Sequence, residues 1–407
     1  MITNRDIIFI SSIEWDFHWQ IHQEIALRLA KAGNRVLYIE NTGVRGPNLR
    51  DAKRVAARLR NSMRSVFSHG VREVSPNVHV ISPIVLPPFG STSRRLLNRR
   101  VLLPRIKRIA RRLGMRDPLL WSYLPTDTAL DIIEMLHTRQ SAVVYYCGAD
   151  FSQLTPHIEA LRANETKLLK MADVVFTFCH QLVEHCEKWN SNVHNVPAGV
   201  DMDVFYAGEI NENGTDGNSS GVDEETTLSV SLLPHPVIGY VGGMHKFVDY
   251  GLLKELAQAR PGWSWVFVGA IQAEISQLAE LPNVQILGQR PHSSLARYID
   301  QFDVCLIPYL NDPATATALP LKLNEYLALG KPVVSTELPA ICDFNQRHQV
   351  LMTAPNRADA FLKAIEQALN IPNDERTIAR RREVAALGDW QSCLKAMSET
   401  IEAVLQK

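Results

Sequence analysis

Short apolar runs alternate with longer amphipathic stretches along almost the whole chain, and this rhythm leaves few folds open. Continuous apolar runs bounded by turn residues suit strands buried on both faces. Helical periodicity between them supplies the crossovers that parallel strands require. In the first half, strands are expected at Asp6–Ser11, Arg35–Glu40, Val78–Ser82, Leu119–Tyr123, Ala142–Cys147, Val174–Phe178 and Val193–Val196, with helices such as Ile21–Ala32 and Thr126–Leu136. A second series follows at Val237–Val241, Ser264–Val268, Val284–Leu287, Val304–Pro308 and Pro332–Ser335. Its helices fall near Tyr250–Ala259, Ser293–Ile299 and Leu321–Leu329. Between the series, Ala207–Ser231 holds six acidic residues, no Lys or Arg, and many Gly, Ser, Asn and Thr. That composition cannot bury a core and reads as a linker or insertion. The expected class is therefore α/β: two Rossmann-like doubly wound domains facing across a cleft. They are expected at residues 1–206 and 233–388, joined by 207–232. The amphipathic helix at 389–407 is free by its sequence to pack anywhere, a return to the first domain included. In such sheets ligands sit beyond the carboxyl ends of the strands. No internal sequence repeat is visible.

The chain has 407 residues, with 43 Lys+Arg against 43 Asp+Glu and 46% hydrophobic residues, which excludes disordered, collagen-like and small disulfide-stapled classes. Six cysteines are scattered without a Cys-x-x-Cys pair, so a reducing cytoplasm fits and no structural metal site is expected. The amino-terminal MITNRDIIFISSIEW reads as a buried strand, not a signal peptide. No run approaches the roughly 18 apolar residues of a membrane span. The zero net charge hides an asymmetry. Residues 1–206 carry 27 basic against 19 acidic residues, and 207–407 carry 16 against 24. Residues 45–116 hold 18 basic residues and only Asp51 and Glu73 as acids. Two helix-like runs supply the excess, Asp51–Phe67 and Ser93–Leu113, each interleaving Arg and Lys with apolar side chains. This pattern suits an anionic membrane surface or phosphate-bearing acceptor, and equally a solvated helical face. Nucleic acid is not an expected partner, because no helix-turn-helix or aromatic–basic strand motif appears.

The most informative segment is Thr315–Ser335, TATALPLKLNEYLALGKPVVS. Pro320 fits the first turn of a helix, and Gly330 fits its end before a buried strand. Lys322 and Glu325, three apart, share one face of that helix. A helix start with free N–H groups and a nearby ammonium suits a phosphate, and a carboxylate one turn deeper suits the paired hydroxyls of a ribose. The alternative is a surface Lys–Glu pair worth a few tenths of a kcal/mol. Residue physics alone leaves the two readings equal.

Pro320-x-Lys322-x-x-Glu325-Tyr326-x-Ala328-x-Gly330-x-Pro332-Val333-Val334 resembles the donor-site signature of family-4-like glycosyltransferases of the GT-B fold. Further segments agree in order. Val237–Asp249 is similar to the first strand and glycine loop of that family's C-terminal domain. Asn283–Leu295 is similar to the strand and loop beside the nucleobase, and Asp303–Tyr309 to the strand entering the signature. Ala172–Phe178 and Asn195–Phe205 resemble the last strands and exit of the N-terminal domain. The resemblance covers roughly residues 140–350. Before that only the element order agrees, with Trp15–Ala30 resembling a polysaccharide-biosynthesis subgroup.

The resemblance implies a transferase moving sugar from a nucleoside-diphosphate-sugar donor to a glycan or lipid-linked acceptor in surface polysaccharide assembly. It implies a retaining, metal-independent reaction with no prosthetic group. Glu325 would bind the ribose, while Lys322 and the backbone of Leu319, Pro320 and Leu321 hold the diphosphate. Gly242 and Gly243 would allow close backbone approach, with Lys246 as a second cation, Arg290 in the loop beside the base, and Thr317 near the donor sugar. Thr317 and His245-Lys246 depart from the family pattern, which commonly has an acidic residue and an Arg-plus-Lys pair there. The expected enzyme is cytoplasmic or peripheral at the inner face of the cell membrane. The alternatives are a nucleotide-sugar epimerase or hydrolase on the same fold, or a non-catalytic GT-B partner.

Other segments carry weaker signals. Trp15–Gln23 follows the first strand; Trp15, Trp19, Gln20 and His22 are candidate acceptor contacts, and packing around a helix start is the alternative. Asp16 and His18 in this stretch, with Asp150 in YYCGAD, are the candidate catalytic residues. An inverting reaction would need Asp150 or Asp16 as base, whereas in a retaining one the leaving diphosphate oxygen takes the acceptor proton. Asp150 as a helix cap is equally consistent. Asp201-Met202-Asp203 looks like a metal motif but sits at a domain exit and is read as structural. Cys147 is read as a core residue, and His180, His185 and His194 as structural.

Overall fold

The computed structural model describes residues 1–16, 19–40, 71–83, 85, 91–151, 157–197, 199–206 and 229–406. His18, the run Asp51–Phe67 and residues 207–228 of the acidic segment lie outside the described residues. Contacts divide the chain into one unit of Met1–Val196 with Cys393–Lys407, and a second of Pro197–Ser392.

The first unit is built on β1 (Asp6–Ile10), β2 (Arg35–Ile39), β3 (Arg72–Ser75), β4 (Val78–Ile81), β5 (Leu119–Ser122), β6 (Val143–Tyr146), β7 (Val174–Thr177) and β8 (Val193–Asn195). The sheet order is β3-β4-β2-β1-β5-β6-β7-β8, parallel except for the β3–β4 hairpin at one edge. Asn77 occupies the left-handed region in the two-residue turn of that hairpin. The inner strands β5, β6 and β7 are buried at every residue, as a parallel sheet covered on both faces demands. The helices are α1 (Ile21–Lys31), α2 (Thr92–Arg112), α3 (Asp127–Leu136), α4 (Ile158–Met171) and α5 (His180–Glu187). On α1, Ile25, Ala26, Leu29 and Ala30 are buried at helical spacing, so one apolar stripe meets the sheet. The basic α2 is tied to α3 electrostatically. Arg95 grips the buried Asp131 with two hydrogen bonds of 3.1 and 2.7 Å, and reaches Asp127 at 3.2 Å.

The second unit carries β9 (Val237–Val241), β10 (Ser264–Val268), β11 (Val284–Gly288), β12 (Val304–Ile307), β13 (Val333–Thr336) and β14 (Met352–Ala354), all parallel, in the order β11-β10-β9-β12-β13-β14. Its helices are α6 (Met202–Tyr206), α7 (Tyr250–Ala259), α8 (Ser276–Ala279), α9 (Leu295–Asp300), α10 (Lys322–Ala328), α11 (Pro339–His348), α12 (Ala358–Asn370) and α13 (Glu375–Ala386). A final helix, α14 (Trp390–Leu405), carries the chain from this unit into the first. Counting from β9, the order is 3-2-1-4-5-6, the doubly wound arrangement in which the chain reverses direction between strands 1 and 4. The carboxyl ends of β9 and β12 therefore diverge and leave a crevice beside them. No helix among the described residues is long and apolar enough to cross a membrane.

The edge strands β3 and β14 were not among the expected ones: β3 is a polar REVS hairpin arm, and β14 is only three residues long. The regular part of α10 begins at Lys322, two residues past Pro320. Bonds from Leu323 N–H to Pro320 O and Asn324 N–H to Leu321 O form a tighter lead-in turn. Its far end is as expected, with Gly330 at φ +72°. The buried Tyr326 on α10 accepts the Val241 N–H at 2.8 Å, pinning the helix to the end of β9. Tyr326→Phe leaves that buried N–H without its acceptor. It should lower the unfolding free energy by about 1–3 kcal/mol, read from the urea midpoint. An unchanged midpoint would show that the hydroxyl does not hold α10 in place.

Candidate functional site

At the crevice of the second unit, two glycines fix the path of the backbone. Gly242 (φ +134°) follows β9, and Gly269 (φ +153°) follows β10. A Cβ on Gly269 would collide with the carbonyl of Gly242, so the two turns can lie this close only without side chains. A Cβ on Gly242 would in turn meet the Lys322 ammonium. The helix start and the glycine loop thus converge on the same few ångströms. Further bonds brace the loop: Tyr240 donates to the Gly243 carbonyl at 2.9 Å, and Met244 N–H to Ala270 O at 2.8 Å.

Lys322 is buried, with its Nζ 3.8 Å from the centroid of the Tyr240 ring and 5.4 Å from that of Tyr309. Burial pulls its pKa down to about 7, against the opposing pull of Glu325. The aromatic faces offer some compensation to the cation, but they cannot replace water. One turn along, Glu325 lies mostly buried with Oε1 3.1 Å from His292 Nε2. His292 in turn meets Phe205 of α6 edge-on at 5.6 Å. The other expected residues are arranged around this centre. Leu319, Pro320 and Leu321 form the half-buried lead-in to α10, and Thr317 sits in the preceding loop, which Asp312 turns by accepting from Ala314 and Thr315 N–H. Arg290 is half-buried just beyond β11, two residues before His292. Lys246 is exposed, its Nζ 4.8 Å from the Phe247 ring.

Sequence reading named neither His292 nor the pair Tyr240 and Tyr309. The tyrosines could have been suspected, because each ends or follows a buried strand at the crevice. Asp201 accepts the N–H groups of Asp203 and Val204 at 3.2 and 3.4 Å, the work of an N-cap for α6.

In the first unit, the carboxyl ends of β1, β2 and β5 gather a separate polar–aromatic cluster. His22 is buried, stacked on Tyr123 at 3.8 Å and 2.9 Å from Ser11 Oγ, and burial pushes its pKa down to about 3. Ser11 also bonds the Tyr38 hydroxyl at 2.6 Å. Glu40, at the end of β2, is almost fully buried. It accepts from the Trp15 N–H at 2.8 Å and from Ser82 Oγ at 2.5 Å, and desolvation raises its pKa. Trp15 packs edge-on to Tyr38 at 5.0 Å. Trp19, 41% exposed, donates to Glu24 at 2.7 Å, while Gln20 N–H donates to Gln23 at 3.1 Å at the start of α1. Asp16 is forked by Arg72, at 3.0 and 2.8 Å. Asp150 stands four residues beyond β6, half-buried and near His185. Glu40, Ser11, Tyr123 and Arg72 were not anticipated; a Glu ending an apolar strand was the available signal.

Residues 235–370 match the family described as Glycosyl transferases group 1. A Bacillus subtilis (strain 168) protein, TuaH, whose name proposes a glycosyltransferase of teichuronic acid biosynthesis, is 28% identical over 244 residues. The aligned part makes up 58% of this chain and 58% of that protein. Among solved structures, sucrose-phosphate synthase from Thermosynechococcus elongatus superposes with a TM-score of 0.70 at 17% identity, covering 99% of both chains. Anabaena Alr3699/HepE, solved in complex with UDP and glucose, superposes with a TM-score of 0.65 at 14% identity over 98% of this chain and 99% of its own. These likenesses establish the GT-B fold.

The buried amine makes a testable contribution to stability. Lys322 titrates near 7 in the folded protein and at 10.5 when exposed, so between those values the unfolded chain binds more protons. Lys322 therefore contributes a stability that rises with pH from about 7 to 10.5. Urea unfolding at pH 7 and pH 9.5 should show this rise in the wild type and a smaller one in Lys322→Met. Equal slopes would mean that the amine is solvated.

Proposed function

Since the chain carries the domain of a group 1 glycosyltransferase on a GT-B fold, we propose that it transfers a sugar from a nucleoside-diphosphate-sugar donor to a glycan or lipid-linked acceptor in surface polysaccharide assembly. One observation carries this reading: the Lys322 amine held over Gly242 at the strand-order reversal, with the Glu325 carboxylate one turn beyond. A diphosphate seated there meets the loop N–H groups and restores full charge to a desolvated amine. Leaving-group charge is thus stabilised without any metal. Glu325 has acceptor capacity left beside His292 for the two ribose hydroxyls. Leu319, Pro320 and Leu321 line the diphosphate, which Gly242 and Gly243 let the backbone approach, Arg290 flanks the base, and Thr317 borders the sugar. Lys246 adds a cation at the loop's outer side.

In the retaining form of the reaction, the bond from the anomeric carbon to the diphosphate oxygen breaks and a bond to the acceptor hydroxyl oxygen forms on the same face. The departing phosphate oxygen takes the acceptor's proton. In the inverting form Asp150 or Asp16 would act as the base, and Arg72 engages both oxygens of Asp16. Trp15, Trp19 and Gln20 offer a surface for an acceptor sugar. His22 supports that surface from inside through Ser11 and Tyr123.

Nucleotide binding is the first test. A nucleoside diphosphate at 100 times its dissociation constant should stabilise the folded protein by about 2.7 kcal/mol, visible as a thermal shift. UDP, GDP, TDP and CMP are compared on wild type and Glu325→Ala. One diphosphate should stabilise the wild type and act more weakly on the variant. Stabilisation by none of them would remove the transferase reading and favour a non-catalytic partner.

The helix α2 supports a membrane contact as well. Leu96, Leu97 and Val101 are about half exposed or more, flanked by exposed Arg94, Arg99 and Arg100. Each basic residue near an anionic surface is worth about 1 kcal/mol. Co-sedimentation with phosphatidylglycerol vesicles should exceed that with phosphatidylcholine, fall with added salt, and drop in Leu96→Ser/Leu97→Ser. Equal sedimentation with both lipids would refute the contact.

A further inference from the structure

A cavity of about 400 Å³ opens at the amino-terminal edge of the second unit's sheet, the edge opposite Gly242. One wall is apolar, made by Val333 at the start of β13, Leu351 and Met352 at the start of β14, and Ile371 just past α12. The other wall is α13, which presents Arg376, Arg380 and Arg381.

The charges on this lining do not balance. Arg381 is only 4% exposed; it donates to the Gly330 carbonyl at 2.8 Å and to Asn373 Oδ1 at 3.3 Å. It has no carboxylate partner among the described residues. Burial lowers its pKa, as expected of a cation lacking a counter-ion. Arg380 donates to the His348 carbonyl at 3.3 Å and approaches Glu383 at 3.5 Å. Arg376 is exposed at the mouth. Asp374 also lines the cavity, but one of its oxygens is engaged by the Thr377 N–H at 2.8 Å as the cap of α13. Nearby His348 is held below its usual pKa by burial and then by Arg380 and Arg347. The lining thus carries three guanidiniums and one committed carboxylate, with Glu383 beside Arg380 as a second acid, and a net positive charge remains along a space large enough for a small organic ligand.

We propose that this cavity binds a phosphomonoester of a short apolar group, with the phosphate on Arg376, Arg380 and Arg381 and the carbon chain against Val333, Leu351 and Met352. An anion suits the excess positive charge, and guanidinium forks suit phosphate oxygens. The apolar wall distinguishes an ester from the free ion. The occupant would sit beside Gly330, where Arg381 holds the end of α10, the helix that carries Lys322 and Glu325. The site does not depend on the transferase reading, since none of its residues belongs to the donor centre.

Calorimetric titration of the full chain with n-hexyl phosphate, inorganic phosphate and hexanol tests this. Hexyl phosphate should bind saturably and more tightly than phosphate, and hexanol not at all. The exposed pair is removed in Arg376→Ala/Arg380→Ala, which leaves the buried Arg381 and the fold in place. Binding should weaken about tenfold or more there, one charged contact being worth at least that, and should persist in Lys322→Met. Equal binding of phosphate and hexyl phosphate would overturn the ester assignment. The site itself would be overturned by absence of binding, by unchanged affinity in the arginine variant, or by loss confined to Lys322→Met.

Discussion

The close approach of two backbone turns, at Gly242 and Gly269, sets the geometry on which the C-terminal unit's site depends. No side chain larger than hydrogen fits at Gly269, because the Gly242 carbonyl occupies the space a Cβ would need. That contact brings the ends of β9 and β10 together beside the strand-order reversal. It leaves an opening above Gly242 into which Lys322 projects. Around it, tyrosines do most of the fixing. Tyr240 and Tyr309 wall the amine, and Tyr326 ties α10 to β9 from below. A lysine placed so is poorly solvated and near its titration point at neutral pH, a state that an incoming anion reverses.

The two units handle buried polar groups differently. In the C-terminal unit the polar groups at the crevice keep capacity: Glu325 meets His292 at one oxygen, and Lys322 meets aromatic faces and the charge of Glu325. In the N-terminal unit the corresponding strand ends are internally satisfied. Glu40 is bonded by Trp15 and Ser82, and His22 is closed in by Ser11 and Tyr123. Such a network holds shape and orients the exposed residues above it, such as Trp19, instead of presenting its own charge. The opposite edge of the C-terminal sheet has the reverse imbalance, with guanidiniums in excess and an apolar wall facing them. One helix, α10, lies between the two ends, its start at the glycine loop and its finish at Arg381.

The alternation of apolar strands and amphipathic helices was enough to determine the fold class and nearly all the strands. Residues buried on both faces must be apolar throughout, and that leaves a readable mark. The segment from Pro320 to Val334 located α10 and its glycine stop. Two of the four edge strands escaped, because burial constrains them less: β3 is polar and β14 is three residues long. The shared doubly wound order of the two sheets also left no repeat in the sequence, since many apolar sequences satisfy the same packing. Tertiary structure alone decided which side chains share the site. His292 and Glu325 are 33 residues apart, and Tyr240 and Lys322 are separated by 82 positions in the numbering. It also decided that His22 is enclosed and that Arg381 is buried without a counter-ion among the described residues. Burial and long-range contact are sums over residues distant in sequence, so local pattern can propose a charged group but only the folded chain sets its surroundings.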